Sequence, residues 1–253
     1  MFAEEYKGIN SFLIGASNLL CKYGVKRETR DNICYELPEP FFFKITEPTA
    51  RIVTIPCRKW SKTLPYAESL WIASGRNDLD YITYCLKKTL DIPCTRELHF
   101  IKQPNSNKLD VIVKMRSNDI IWGASAVNIF NYTFMQEYMA TILGLEVGNY
   151  FHFADNFHYY DRHKEMIKQL SEVKEVVDEP YTYDKTFRNM ADFDNLVKEL
   201  SFEERKMRSD KSYSYHEILD PFFRDWYNVL YLYKREAKVE FVNPTLQKLY
   251  NNK

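Results

Sequence analysis

Pro93-Cys94-Thr95 stands just ahead of Lys108 to Asp119, KLDVIVKMRSND, and these two stretches hold the residues best suited to chemistry. Leu109, Val111, Val113 and Met115 alternate with Asp110, Ile112, Lys114 and Arg116, the period of a strand with one buried face. Pro104-Asn105-Ser106-Asn107 supplies turn chemistry before it. An antiparallel hairpin brings Cys94 and Arg116 to the same end. A thiol beside a guanidinium is biased towards thiolate, the nucleophilic form. Spacing alone better suits a buried Cys beside a surface Arg. Glu68 sits within the apolar pattern Leu64, Ala67, Leu70, Trp71 and Ile72, either at its rim or buried with a partner, and buried carboxylates are often functional. Arg27 and Arg30 are candidate anion ligands in a charged loop that reads equally as a solvated turn.

The elements that must position these groups follow from pattern. Ile9 to Tyr23 reads as a helix closing near Gly24, and Val25 to Asp31 as a charged loop. Ile33 to Ile45, interrupted by Pro38 and Pro40, reads as edge strands. Residues 61–88 read as helical, with Ser61 at the start and a break at Ser74-Gly75-Arg76. Ile120 to Ser125 reads as a loop entering a long helix. That helix carries Val127, Phe130, Phe134, Tyr138 and Ile142, has Asn128 in its first turn, and is closed by Gly144. Asn149 to Phe153 is an aromatic strand, and a further helix spans 163–177. Beyond Asp178 the charged run Glu203 to Lys211 suggests a linker, with helices around Asp192–Leu200 and Pro221–Lys234.

Composition bounds the function. A chain of 253 residues that is 45% hydrophobic and 28% charged can pack a core. Its net charge of +0 offers no global field for nucleic acid or an anionic membrane, so any phosphate must be held by local arginines. Cys21, Cys34, Cys57, Cys85 and Cys94 contain no CxxC pair, which argues against a disulfide framework or a metal site. Acids in MFAEEYKG and the lack of a long apolar run point to a cytoplasmic protein with neither a membrane nor a nucleic-acid partner.

Taken together, Arg116-Ser117-x-Asp119, Gly123, Asn128-Ile129-x-x-Tyr132, Leu145-Glu146-Val147-Gly148 and His158-x-Tyr160-x-x-His163 resemble thymidylate synthase and the related pyrimidine-nucleotide hydroxymethylases. Pro93-Cys94 with Phe100 fits the segment around that family's nucleophile. Glu68-x-Leu70-Trp71 followed by Gly75 and Asn77 is similar to its catalytic-glutamate helix. The resemblance covers about residues 30–165. It implies an α+β fold, a mixed sheet with helices on one face and a homodimer on the other. Residues 1–177 form the catalytic domain and residues 178–253 a linker and helical C-terminal extension.

The implied activity is transfer of a one-carbon unit from 5,10-methylenetetrahydrofolate to C5 of a dUMP-type pyrimidine deoxynucleotide, giving a methyl or hydroxymethyl product. In that scheme Cys94 attacks C6, Glu68 moves protons at the pyrimidine edge, and Asp119 grips the pterin. Arg116, Ser117 and Arg30 bind the phosphate, Asn128 reads the base as uracil, and His158 and Tyr160 hold the sugar hydroxyl. Three departures stand beside the match. Gly123 to Asn128 is one residue longer than in the common synthase pattern, Thr95 replaces a frequent His, and the connection from Glu68 to Pro93 is several dozen residues shorter. The missing segment carries folate-side and cross-dimer phosphate residues, for which Arg76, Lys87 and Lys88 are poor replacements. The alternative is a catalytically impaired nucleotide-binding or interaction protein on the same scaffold.

Overall fold

The computed structural model describes residues 1–29, 32–78, 81 and 94–251. The chain divides into two compact units, Met1–Trp60 with Asp91–Glu137 and Glu146–Pro180, and Ser61–Leu90 with Tyr138–Leu145 and Tyr181–Lys253. The fold is α+β, as the resemblance implies.

The first unit holds two sheets. Strand β1 (Phe2–Tyr6) and helix α1 (Ile9–Tyr23) open it. Next come β2 (Val25–Glu28), β3 (Ile33–Glu36) and β4 (Phe41–Ile45). Strands β5 (Thr95–Lys102), β6 (Lys108–Met115) and β7 (Asn118–Asp119) follow. Strands β8 (Glu146–Ala154) and β9 (Phe157–Tyr160) complete the set. The larger sheet runs β1-β4-β8-β6-β5 and the smaller β2-β3-β9-β7. The larger is mixed, with β1 parallel to β4 and β6 parallel to β8. Two expectations fall here. Val25–Glu28 is a strand rather than a loop, because its backbone pairs with β3 although all four side chains are exposed. Neither β3 nor β4 is an edge strand: each is paired on both sides, and Pro38 and Pro40 sit in the connection, where the missing N–H costs nothing.

Apolar spacing explains the layering. Ile9, Phe12, Leu13, Ala16 and Leu20 form one stripe of α1, and Phe12 lies 4.5 Å from the Phe43 ring on the buried face of β4. Leu109, Val111, Val113 and Met115 of β6 are buried, as the alternation predicts. Phe42, Phe151 and Phe153 on the opposite face stay half-buried, with Phe42 and Phe151 stacked at 6.2 Å. Helix α4 (Lys164–Glu172) packs beside α1 and ends earlier than the sequence reading, at Val173.

Asp178 ties the end of this unit to its beginning. Its buried carboxylate accepts N–H bonds from Gly8 (3.0 Å), Asn10 (2.8 Å) and Ser11 (3.1 Å), satisfying amides at the start of α1. Asp178→Ala strands these donors and is expected to lower stability by about 1–3 kcal/mol, read from the midpoint of urea unfolding.

The second unit is helical among its described residues: α2 (Leu64–Ala73), the end of α3 (Ile129–Ile142), α5 (Met190–Ser209), α6 (Pro221–Tyr231) and α7 (Pro244–Asn251). Gly144 closes α3 as expected, with φ of +65°, a left-handed cap that suits Gly. Ser61 Oγ accepts the Leu64 N–H at 3.2 Å. Trp226, Phe222 and Phe223 are fully buried, and Trp226 Nε1 donates to the Tyr66 carbonyl at 2.8 Å. The run from Glu203 is not a linker. It continues α5 to Ser209, because Glu203 and Glu204 are buried with partners, Tyr213 and Lys206 for the first and Arg208 for the second.

Candidate active site

The hairpin forms as its alternation requires. Strand β5 pairs antiparallel with β6, setting Thr95 opposite Met115, and Arg116 N–H donates to the Cys94 carbonyl at 3.0 Å. Asn105 in the turn has φ of 59°, a left-handed position that Asn tolerates. Cys94 is half-buried and packs against the core cluster. The neighbouring Thr95 Oγ1 hydrogen-bonds the Tyr132 hydroxyl.

Past the hairpin the chain crosses into the smaller sheet. Strand β7 runs parallel to β9, setting Asn118 beside Phe157 and Asp119 beside His158. Strand β3 flanks β9 on its other side, with Glu36 opposite His158 and Cys34 opposite Tyr160. Arg116 and Ser117 lie between the two sheets, both half-buried, and Ser117 Oγ is 3.4 Å from Asn156 Oδ1. The rings of His158 and Tyr160 meet edge-on at 5.3 Å.

Ile120–Asn128 is a π-helix, where the sequence reading places a loop and the first turn of a helix. The side chain of Asp119 starts it, with Oδ1 accepting the N–H groups of Ile121 (2.6 Å) and Trp122 (2.8 Å). The wider turn absorbs the extra residue between Gly123 and Asn128. Asn128 therefore still arrives at the hairpin: its Nδ2 donates to Asn118 Oδ1 at 3.1 Å and approaches Met115 Sδ at 3.5 Å. Gly123 has no side chain for a steric reason. A Cβ there would lie 2.2 Å from Asn118 Oδ1 and 3.1 Å from Asn128 Nδ2. Arg58 threads beneath the turn, donating from Nε to Ser125 Oγ (2.9 Å) and from its guanidinium to the Ile121 carbonyl (2.6 Å). Burial draws its pKa down to about 10, opposed by the nearby Asp119 charge.

Two buried polar atoms here have no hydrogen-bond partner among the described residues: Asp119 Oδ2 and His158 Nδ1. They belong to residues directly paired across β7 and β9. Lying side by side on adjacent strands, the two are candidate partners for ligand polar groups. Burial holds the His158 pKa below its ordinary value, while Asp119 and Glu36 pull the other way.

Behind Asn118 lies His152, at an inward position of the aromatic strand β8 where the sequence pattern alone suggests packing. Its Nε2 is 3.0 Å from Asn118 Nδ2 and its Nδ1 is 2.7 Å from the Tyr150 hydroxyl. Complete burial lowers its pKa to about 3. In the unfolded chain it titrates near the ordinary value of about 6.5. Between these values the unfolded state carries the extra proton, so stability is present above about 6.5 and falls on acidification. Wild type is expected to lose up to about 1.4 kcal/mol per pH unit through this group below pH 6.5, and His152→Phe to show a shallower slope in urea unfolding at pH 7, 6 and 5.

Cys94, Arg116, Ser117, Asp119, Asn128, His158 and Tyr160 all belong to the first unit. Glu68 is half-buried on α2 in the second unit. Arg30 lies outside the described residues. Arg27 donates to both carboxylate oxygens of Glu36, at 2.9 and 3.1 Å. Among the described residues no group of three His, Cys, Asp or Glu could hold a metal, and no helix is long and apolar enough to cross a membrane.

Comparison with known proteins matches the segment that holds most of these residues. The family model "Thymidylate synthase" matches residues 81–204. A deoxyuridylate hydroxymethyltransferase of Pseudomonas phage M6 is 23% identical over 64% of this chain and 62% of its own. One from Bacillus phage SP01 is 42% identical over 28% of this chain and 18% of its own, and the thymidylate synthase of Streptococcus mutans 30% identical over 36% and 33%. Over residues 81–204 the chain is similar to thymidylate synthases, and the relatives it matches include deoxyuridylate hydroxymethyltransferases. It spans about three fifths of the length of the phage M6 relative. The family match reaches residue 204, past residue 165 where the motif resemblance ends, and so takes in Met190 to Glu204 of α5.

Proposed function

We propose that this chain transfers a one-carbon unit from methylenetetrahydrofolate to C5 of deoxyuridylate, and that the product is the hydroxymethyl nucleotide. The observation that carries the reading is the convergence of Cys94, Arg116, Asp119, Asn128 and His158 in one unit, with two ligand-ready polar atoms among them. Similarity to thymidylate synthases and deoxyuridylate hydroxymethyltransferases supports it.

Each residue then has a task set by its chemistry. The Cys94 thiolate adds to C6 of the pyrimidine, forming the S–C6 bond, and the C5–C6 electron pair moves towards O4. C5 becomes nucleophilic; after it has gained its new carbon, its proton leaves and the S–C6 bond breaks. Arg116 and Ser117 grip the phosphate at the hairpin end, with Arg30 as a further candidate. Asn128 reads uracil through O4 and N3–H, while His158 and Tyr160 bind the sugar hydroxyl. Glu68 passes protons at the base edge.

The residues present fit the folate. Asp119 Oδ2 is a buried acceptor awaiting an N–H donor, such as a pterin supplies, and exposed Trp122 stands three residues on. When bound, methylenetetrahydrofolate supplies the one-carbon unit. A methyl product further requires a hydride, whereas a hydroxymethyl product requires only water at the new carbon. The shortened connection before Pro93 and the phage hydroxymethyltransferases among the relatives support the second outcome. The half-buried aromatic face of the larger sheet supports the homodimer.

Mass spectrometry of the nucleotide after incubation with dUMP and methylenetetrahydrofolate tests the product. The expected result is 5-hydroxymethyl-dUMP; dTMP overturns the product assignment. The shortened connection also favours a second reading, a binder that no longer turns over. Calorimetric binding of dUMP with an unchanged nucleotide pool supports that reading instead.

A further inference from the structure

The geometry points to Asn118, His152 and Tyr150 as positioning residues that lock the Asn128 amide in the orientation that selects uracil over cytosine. This deepens the proposed function and rests on Asn128 being the base reader.

Donors and acceptors fix the direction of this hydrogen-bond chain. Asn128 Nδ2 donates to Asn118 Oδ1 at 3.1 Å, so the Asn118 carbonyl is committed as an acceptor. Its Nδ2, 3.0 Å from His152 Nε2, must then donate, and Nε2 must accept. A neutral imidazole that accepts at Nε2 carries its proton on Nδ1, which donates to the Tyr150 oxygen at 2.7 Å. His152 is completely buried and stacked on Phe43 at 4.7 Å, and Tyr150 is completely buried too. Neither ring has solvent with which to exchange roles. The direction of donation therefore runs from Asn128 inward to Asn118, His152 and Tyr150.

The consequence appears at the open end. With Nδ2 held by Asn118, Asn128 Oδ1 has no protein partner among the described residues and is left to accept from a ligand. That suits N3–H of uracil, with the second Nδ2 hydrogen for O4. Cytosine presents an acceptor at N3 and a donor at position 4, so it requires the amide to turn over. Turning it sets Asn128 Oδ1 against Asn118 Oδ1, two acceptors at hydrogen-bond distance, unless the whole buried chain reverses. Gly123 keeps this junction close, because any Cβ there would strike Asn118 Oδ1 at 2.2 Å.

Calorimetry with dUMP and dCMP on the 253-residue chain reads the preference. Asn118→Ala and His152→Phe are each expected to reduce the dUMP-over-dCMP ratio of Kd by about tenfold. Asn118→Asp, whose carboxylate still accepts from Asn128 while His152 shifts its proton to Nε2, is expected to keep the ratio. A ratio unchanged in both Asn118→Ala and His152→Phe overturns the inference. If wild type binds neither nucleotide, the base-reading role fails and this inference fails with it. Nitrogen-15 histidine NMR of the wild-type chain decides the case even where variants do not fold. The expected signal is a neutral His152 protonated on Nδ1, and the Nε2–H tautomer overturns the inference.

Discussion

Cys94→Ala is expected to stop tritium release from C5-labelled dUMP, with a loss on the order of 10⁴-fold or more, because the proposed covalent step depends on its thiolate. The substitution removes one atom from a half-buried side chain at the end of a hairpin whose backbone bond, Arg116 N–H to the Cys94 carbonyl, does not involve it. Folding and nucleotide binding should therefore survive, with stability changed by about 1 kcal/mol and dUMP affinity within a few-fold of wild type. That combination separates a nucleophile from a packing residue, which would alter unfolding and leave release in place. Cys94→Ser should behave like Cys94→Ala, since a hydroxyl of ordinary acidity is a poor nucleophile without its own base.

The largest stability effect is expected at Arg51. It is 4% exposed and paired with Glu137, which is 1% exposed. Its guanidinium also donates to the Thr133 carbonyl at 3.1 Å and lies 5.7 and 5.1 Å from the ring centroids of Phe130 and Phe134. Arg51→Met keeps the apolar stem over those rings but removes the Arg51 charge from beside the buried Glu137 carboxylate. Losing one partner of such a pair costs about 3–5 kcal/mol. Arg51→Met combined with Glu137→Leu removes both charges and should recover most of that loss, as read from urea unfolding at pH 7. If the single variant unfolds at the wild-type midpoint, the pair is not a structural tie.

The sequence made the hairpin legible because a strand with one buried face writes its period plainly: Leu109 to Met115 alternate and the structure buries every second residue. The helix Ile9–Tyr23 was readable for the same reason. Beyond this the signals were not local. Exposed Val25–Glu28 has no apolar alternation, and only pairing with β3 makes it a strand. Glu203 and Glu204 read as solvated charges because their partners, Tyr213 and Arg208, cannot be inferred from charge alone. The π turn at Ile120–Asn128 showed in sequence only as one residue too many, an irregularity whose solution depends on where Asn118 and Gly123 meet. His152 was hidden by its setting, since an inward position of an aromatic strand reads as packing until a hydrogen-bond chain is seen through it. The candidate site residues are legible only as ordered motifs. Asn118, His152 and Arg58 stand out only through their hydrogen bonds around the site, which no single motif announces.

Tritium release by the wild-type chain tests the central claim most directly. C5-tritiated dUMP is incubated with and without methylenetetrahydrofolate, and label reaching solvent is counted. The expected result is release that depends on the folate and accumulates over many turnovers. Absence of release from dUMP and from every other pyrimidine nucleotide, at concentrations where the nucleotide binds, would contradict it.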